Sequence, residues 1–508
     1  MADDVTHFDA VEAYCDASSY LPGETVRLHV WCATGTYDVE VVRYGTGVVW
    51  SAASLKGEAH HTPDDADAHG CHWPVGVHIP VPNDWPSGVY IVTLRAHGAV
   101  HDRAVGHAMF VVRAPRPTSD VLLVLATNTY NAYNNWGGRS LYTGGHEVSF
   151  DRPYGRGLIV RPHTERDDRK SPPTRDGEEP DVDGQRLQRF RFEHGYAAYI
   201  GSTGWFTYER RFVDWAARRG LTLDVAVSSD LERDPSITSG YPLVLGVGHD
   251  EYWSGAQRDG IEHHVARGGN YASFSGNTMF WQVRFDPTGR TMTAYKYSAH
   301  RRDPVVGTSD ERSMSGMWCD PLVGRPEWRF LGAGSAYGLY SRYGRSTPRT
   351  SGGFTVYRDR HWMFEGTGLS YGDLLGARDG AVGYETAGCR LGLDEYGLPF
   401  SALADAPAHT EVVAFAPASN LGADGYPASA SFTPGSQVDM DFIAERLYGD
   451  TSDDSIDRVR HGAAVMLTCR PFDGGGQVVT VGTTDWVFAL GDPAVDRVTS
   501  NIIERLRA

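Results

Sequence analysis

From Tyr20 to about Arg113, apolar and polar residues alternate in short runs: "LPGETVRLHVWC", "TYDVEVVRYG", "WPSGVYIVTLRAHG" and "HAMFVVRA". A period of two lines one face of an extended chain with apolar side chains. These runs therefore predict half-buried strands, and the Gly, Pro and Asp residues between them predict turns. Several such strands at this spacing predict an antiparallel β-sandwich of immunoglobulin-like type over residues 1–115, although the Cys-Trp-Cys hallmark is missing. "APRPTS", residues 114–119, reads as a linker.

Beyond the linker the pattern changes. "DVLLVLATNTYN" (120–131), "LTLDVAVSSD" (221–230), "YPLVLGVGHDE" (241–251) and "GGNYASFSGNT" (269–278) are short, continuous apolar runs, with helical periodicity between them at 208–220 and 254–268. Strands apolar on both sides and alternating with helices predict an α/β core over 116–508, built on a parallel sheet covered on both faces. In such a sheet the carboxyl ends of the strands form the ligand crevice. The charged, Pro-rich stretch 161–185 reads as a mobile insertion. Past residue 285 the pattern is mixed, with a long loop expected over 415–436, a helix near 438–448 and a strand over 476–487.

At 508 residues the chain is expected to hold two or more cores, and 41% hydrophobic with 22% charged residues is ordinary globular composition. A net charge of −17 repels phosphate backbones, which argues against nucleic acid and hints at neutral or cationic substrates. The acidic N-terminus and the shortness of every aliphatic run lead us to expect a soluble, cytoplasmic protein with no membrane span. The six cysteines show no C-x-x-C spacing and read as small core residues or free thiols.

Two strand ends carry candidate chemistry. The first runs into "NTYNAYNNWGGRSLY", which gathers Tyr130, Tyr133 and Tyr142 with amides and a Gly pair; the other ends in "GHDEYWS", residues 248–254. Each has a structural reading: a Tyr- and Asn-rich turn satisfied by backbone, and carboxylates at a helix N-terminus. The chemical reading is a hard, highly charged cation. Oxygen donors suit such an ion, so Tyr133, Tyr142 and Glu251 would supply three anionic oxygens and leave positions open for water and substrate. "GLSYG" (368–372) matches a nucleophile elbow at Ser370 but lacks the strand before and the helix after.

At these residues the chain resembles the large (β) subunit family of N,N-dimethylformamidase. The resemblance is carried by "NTYNAYNNWGG", "RSLY", "GHDEYWS", "GGNYASFSGNT", "VGYET" (382–386) and "GTTDWVFAL", and it reaches the N-terminal "SYLPGETVRLHV". It implies an amide hydrolase acting on linear C–N bonds of a small-molecule amide, with a mononuclear iron (Fe3+) held by two tyrosines and a glutamate. By motif these are Tyr133 (with Tyr130 as the alternative), Tyr142 and Glu251. The family's histidine, asparagine and further glutamate around the metal map onto His249, Asn277 and Glu385. The pattern of the core is itself similar to amidotransferase-like α/β folds; a homo-oligomer is expected, and a small partner subunit stays open. Two departures fall on pocket walls and so on substrate identity: only nine positions separate Tyr133 from Tyr142, and 161–185 is extra. Two other functions compete, a metal-free serine or cysteine hydrolase and a non-catalytic binding protein on the same fold.

Overall fold

The computed structural model describes residues 7–100, 103–164, 168–174, 177–422 and 439–508. The N-terminal alternation forms two sheets. Strands Val11–Cys15, Thr25–Cys32 and Val75–Pro80 make one; Ser19–Tyr20, Val105–Val112, Gly88–Ala96, Thr36–Arg43 and Gly47–Lys56 make the other, in that order. Val26, Leu28 and Val30 of the first sheet share one apolar core with Val39, Val41, Val92 and Phe110 of the second, as period-two burial requires. Cys15 pairs with Leu28 and Cys32 with Val11, at opposite ends of one ladder, and all six cysteines are buried free thiols.

The five-stranded sheet is apolar on its other face too. Val89, Ile91, Met109 and Val111 turn into the core of the α/β part. The stretch 114–119 is held against that part, because Asp224 accepts hydrogen bonds from Thr118 N (2.6 Å), Thr118 Oγ1 (2.5 Å) and Ser119 N (3.2 Å).

The central sheet has nine strands. Asp224–Val227, Val121–Leu125, Leu243–His249, Asn270–Gly276 and Val478–Thr480 lie side by side and parallel. The sheet continues antiparallel through His461–Arg470, Ala408–Ser419, Phe354–Val356 and Leu374–Leu375, so the expected parallel sheet is mixed. The continuous apolar runs follow from burial on both faces. Leu123, Leu245 and Phe274 pack under the helices Glu209–Arg218 and Pro493–Leu506, while Leu122, Val244 and Tyr271 pack under Gly255–Ala266.

Several expected boundaries move. The strand predicted over 476–487 stops at Thr480, and Thr484–Ala489 coils into a 3-10 helix capped by Thr483. The chain turns there because Thr484 N and Asp485 N donate to the carbonyls of Glu385 and Gly383, not to a neighbouring strand. The loop expected from 415 begins later, since the strand Ala408–Ser419 continues; residues 423–438 lie outside the described residues, and Asp439–Tyr448 is the expected helix. Of the stretch 161–185, residues 165–167 and 175–176 lie outside the described residues. The rest is anchored: Arg161 donates to Ile200 O (2.8 Å), and Arg169 (2.9 Å) and Ser171 (3.0 Å) both donate to Asp485. No helix among the described residues is long and apolar enough to cross a membrane.

Candidate functional site

The site forms where three neighbouring parallel strands end. Leu243–His249 delivers His249 and Glu251, two positions apart on extended chain and therefore on one face. Asp250 points the other way and accepts from Trp253 Nε1 at 2.9 Å. Gly248 makes the turn with φ +79°, and a Cβ there would collide with the Tyr208 side chain. Gly248→Ala is therefore expected to destabilise the protein by about 1–3 kcal/mol in urea unfolding, as overpacking at a left-handed position does.

Val121–Leu125 runs into the buried helix Thr127–Tyr133, whose last residue is Tyr133. The chain then folds straight back: Leu141 N donates to Ala132 O (3.0 Å) and Tyr142 N to Ser140 Oγ (3.2 Å). The nine-residue spacing thus stacks the Tyr142 ring on Tyr133, centroids 4.1 Å apart. Asn270–Gly276 ends at Asn277, which adopts a left-handed φ of +49°. Gly276 is required because Glu385 O and Thr484 N occupy the place of a Cβ. That close approach brings the 382–386 segment, and Glu385 with it, onto the strand ends.

Three acids meet at one point. Tyr133 OH donates to Glu251 Oε2 (2.9 Å), and Tyr142 OH lies 2.7 Å from Tyr133 OH and 2.8–2.9 Å from both Glu251 oxygens. Tyr252 OH donates to Tyr142 OH at 2.7 Å. Burial, then the charge of Glu251, holds the phenols of Tyr133, Tyr142 and Tyr252 far above their ordinary range, and burial also raises Glu251.

Beside them is a buried hydrogen-bonded group. His249 Nδ1 donates to Ser202 O (2.8 Å), so Nε2 faces Glu385 Oε2 at 2.5 Å and Glu251 Oε2 at 3.3 Å. Burial opposes the imidazolium, but Glu385, then Glu251 and the Ser202 carbonyl, outweigh it and raise His249 to about 9. Asn277 Nδ2 donates to Glu385 Oε2 (2.8 Å), and Asn277 Oδ1 is buried without a partner.

All six expected residues therefore converge: Tyr133, Tyr142, Glu251, His249, Asn277 and Glu385. Tyr130 does not join them. It packs edge-on to Tyr154 at 6.3 Å, and Glu209 is the charge that acts on it most. Ser370 sits in an exposed turn, its own N–H bonded to Asp373 (2.8 Å). Burial pushes the thiols of Cys15, Cys71, Cys319 and Cys469 upward, and Cys389 to about 12, which leaves them poor nucleophiles.

Sequence reasoning missed Tyr252 and Lys296. The Lys296 ammonium lies 3.2 Å from the centroid of the Tyr142 ring, and burial pulls it down to about 7 against the pull of Glu251 and Asp439. A signal for it existed: only three of the 47 basic residues are lysines, namely Lys56, Lys170 and Lys296. A cavity of about 620 Å³ between the N-terminal strands and the core is lined by Phe8, His107, Trp136 and Arg156, and by none of the six.

The donor chemistry admits two metal sets that share Glu251. His249, Glu251 and Glu385 offer ligand atoms within 4.8 Å of one another. In that set, however, His249 and Glu385 already satisfy each other. The set of Tyr133, Tyr142 and Glu251 is three acids packed oxygen to oxygen in a buried site, an arrangement that a compact, highly charged cation would resolve.

A family model described as N,N-dimethylformamidase beta subunit-like, C-terminal, matches residues 37–499. Two curated relatives, each named N,N-dimethylformamidase beta subunit, align over 229 residues: that of Paracoccus aminophilus is 28% identical and that of Alcaligenes sp 26%. Each alignment covers 43% of this chain and 29% of the relative, so the chain spans less than a third of the length of these relatives. The sulfur carrier protein SoxY from Chlorobium limicola f thiosulfatophilum aligns over 20% of this chain and 76% of its own at 14% identity, and its TM-score of 0.12 carries no argument.

Proposed function

The chain belongs to the N,N-dimethylformamidase beta subunit-like family, and from that we propose that it hydrolyses small linear amides at a mononuclear iron(III) held by Tyr133, Tyr142 and Glu251. The observation that carries this reading is the convergence of two phenols and a carboxyl group within 2.7–2.9 Å in a buried site. The chemistry such an ion supplies when bound is Lewis acidity towards an amide carbonyl and towards water.

The chain's own residues do the rest. His249 and Glu385 share a proton across 2.5 Å, so together they can take one from water and return it to the departing amine nitrogen. The Ser202 carbonyl fixes the imidazole so that Nε2 faces the reaction. Asn277 spends one amide N–H on Glu385, and its free Oδ1 is available to a water or amine N–H. Tyr252 holds Tyr142 in place from behind.

The relatives are named as a subunit, and this supports a reading in which the chain works within an assembly, with a small partner subunit as one form of it. An immunoglobulin-like type for the N-terminal sheets and a boundary near residue 115 belong to the same proposal. The experiment is direct: iron-loaded protein incubated with N,N-dimethylformamide and other small neutral amides should release amine, and the metal-free protein should not. Equal release with and without iron would contradict the reading.

A further inference from the structure

Behind His249 and Glu385 lies a piece of the segment that the family resemblance leaves unexplained. Residues 169–171 are wedged between two site-bearing stretches. Lys170 N is 3.1 Å from where a Cβ on Gly201 would be, next to Ser202, which holds His249. Ser171 Oγ fills the place of a Cβ on Gly383, two residues before Glu385. The Lys170 ammonium lies 5.5 Å from the Tyr343 ring centroid. Tyr343 is 5.5 Å from Tyr384, and Tyr384 is 5.8 Å from His249.

In this wall positive side chains outnumber negative ones. Two narrow clefts share Lys170; one also exposes Arg342 and the other Arg191. Among the described residues Lys170 forms no ion pair. Arg191 spends a guanidinium N–H on the Ala198 carbonyl, and Arg342 donates to Pro172 O (3.0 Å) while its buried Nη1 has no partner. The carboxylate that lines both clefts, Asp181, accepts from the backbone N–H groups of Gln185 (3.1 Å) and Arg186 (3.0 Å) and offsets part of this charge. Burial and Arg191 pull Lys170 down to about 8 against Glu385, so a carboxylate of the reaction centre acts on this ammonium.

We propose that Lys170, with Arg191 and Arg342, is a carboxylate-binding wall beside the reaction centre, so that the preferred substrate is an amide bearing an anionic group. The inference rests on the amide-hydrolase reading above and narrows its substrate class. It also reverses locally what a net charge of −17 suggests globally, because a buried ammonium acts over a few ångströms in a low dielectric while surface carboxylates are screened.

The test compares N-formylglycine with N-formylglycinamide, which replaces the carboxylate by a neutral group of similar shape. Iron-loaded protein is expected to favour the acid by at least about tenfold in kcat/KM. Lys170→Met should bring that ratio to about one, mainly through KM, and Lys170→Arg should restore most of it. Calorimetric titration with N-formylglycine gives a readout independent of turnover, with a Kd roughly tenfold weaker in Lys170→Met. Lys170→Gln serves as a second neutral variant should the methionine protein fail to fold. Equal handling of both probes by the wild type, or a ratio and Kd indifferent to Lys170, would overturn the carboxylate wall while amide hydrolysis stands. No turnover of either probe, combined with Lys170-dependent binding of the acid, would keep the wall and overturn the hydrolase reading.

Discussion

Glu251→Ala is expected to lose both the metal and amide hydrolysis, each by more than about a hundredfold, in a protein that remains folded. Mutating residues around a metal's ligands typically costs 10–100-fold in affinity or activity, and losing a ligand should cost more. Glu251 is the one group that both candidate ligand sets share, and both tyrosine hydroxyls lie against its oxygens. The fold should tolerate the change, because Glu251 contributes to the backbone network through its N–H to Thr129 Oγ1 (3.0 Å) and its carbonyl to Trp281 N (3.0 Å), which alanine keeps. Removing a raised, buried carboxylate also relieves a desolvation cost. Metal analysis, circular dichroism and amine release on one preparation check all three. Full activity with full metal would rule out Glu251 as a ligand.

His249→Ala and Glu385→Gln are expected to do the opposite: to retain the metal and lose kcat by about 10²–10⁴-fold, the range for removing a positioned acid or base. The two should not be additive. They form one directly bonded pair, 2.5 Å apart, so the double variant should be about as impaired as the worse single one. If His249→Ala loses the metal with the activity, the set His249, Glu251 and Glu385 becomes the ligand set in place of the tyrosines.

Legibility of the fold in the sequence follows strand length and environment. Val121–Leu125 and Leu243–His249 are unbroken apolar runs because both faces of the sheet are covered, and they were readable as buried strands. The short antiparallel strands at the edge of the sheet were not. Phe354–Val356 and Leu374–Leu375 are three and two residues long, among glycines and turns, and no periodicity can show in so few positions. Val478–Thr480 looked longer because "TTDWV" keeps strand-like composition while its N–H groups bind the 383–385 carbonyls. Tertiary hydrogen bonds of that kind leave no local trace.

The site was legible in the same uneven way. "GHDEYWS" and the Tyr/Asn-rich segment stood out because polar groups follow apolar strands abruptly. Glu385 and Asn277 came from family likeness alone; Glu385 reaches the strand ends only through the close backbone approach at Gly276. Tyr252, next to Glu251 in the same motif, bonds Tyr142. Lys170 and Lys296 were visible in principle. In a chain that otherwise uses arginine, one of the three lysines, Lys296, lies over the Tyr142 ring, and another, Lys170, over Tyr343.

The central claim is a ferric centre ligated by Tyr133, Tyr142 and Glu251, and the most direct measurement is iron content together with the visible spectrum of the purified protein. The account predicts about one iron per chain and a phenolate-to-iron charge-transfer band that disappears in the Tyr133→Phe, Tyr142→Phe double variant. Protein that takes up no iron after anaerobic loading with Fe(II) and exposure to air, or that binds iron with no such band, would contradict it.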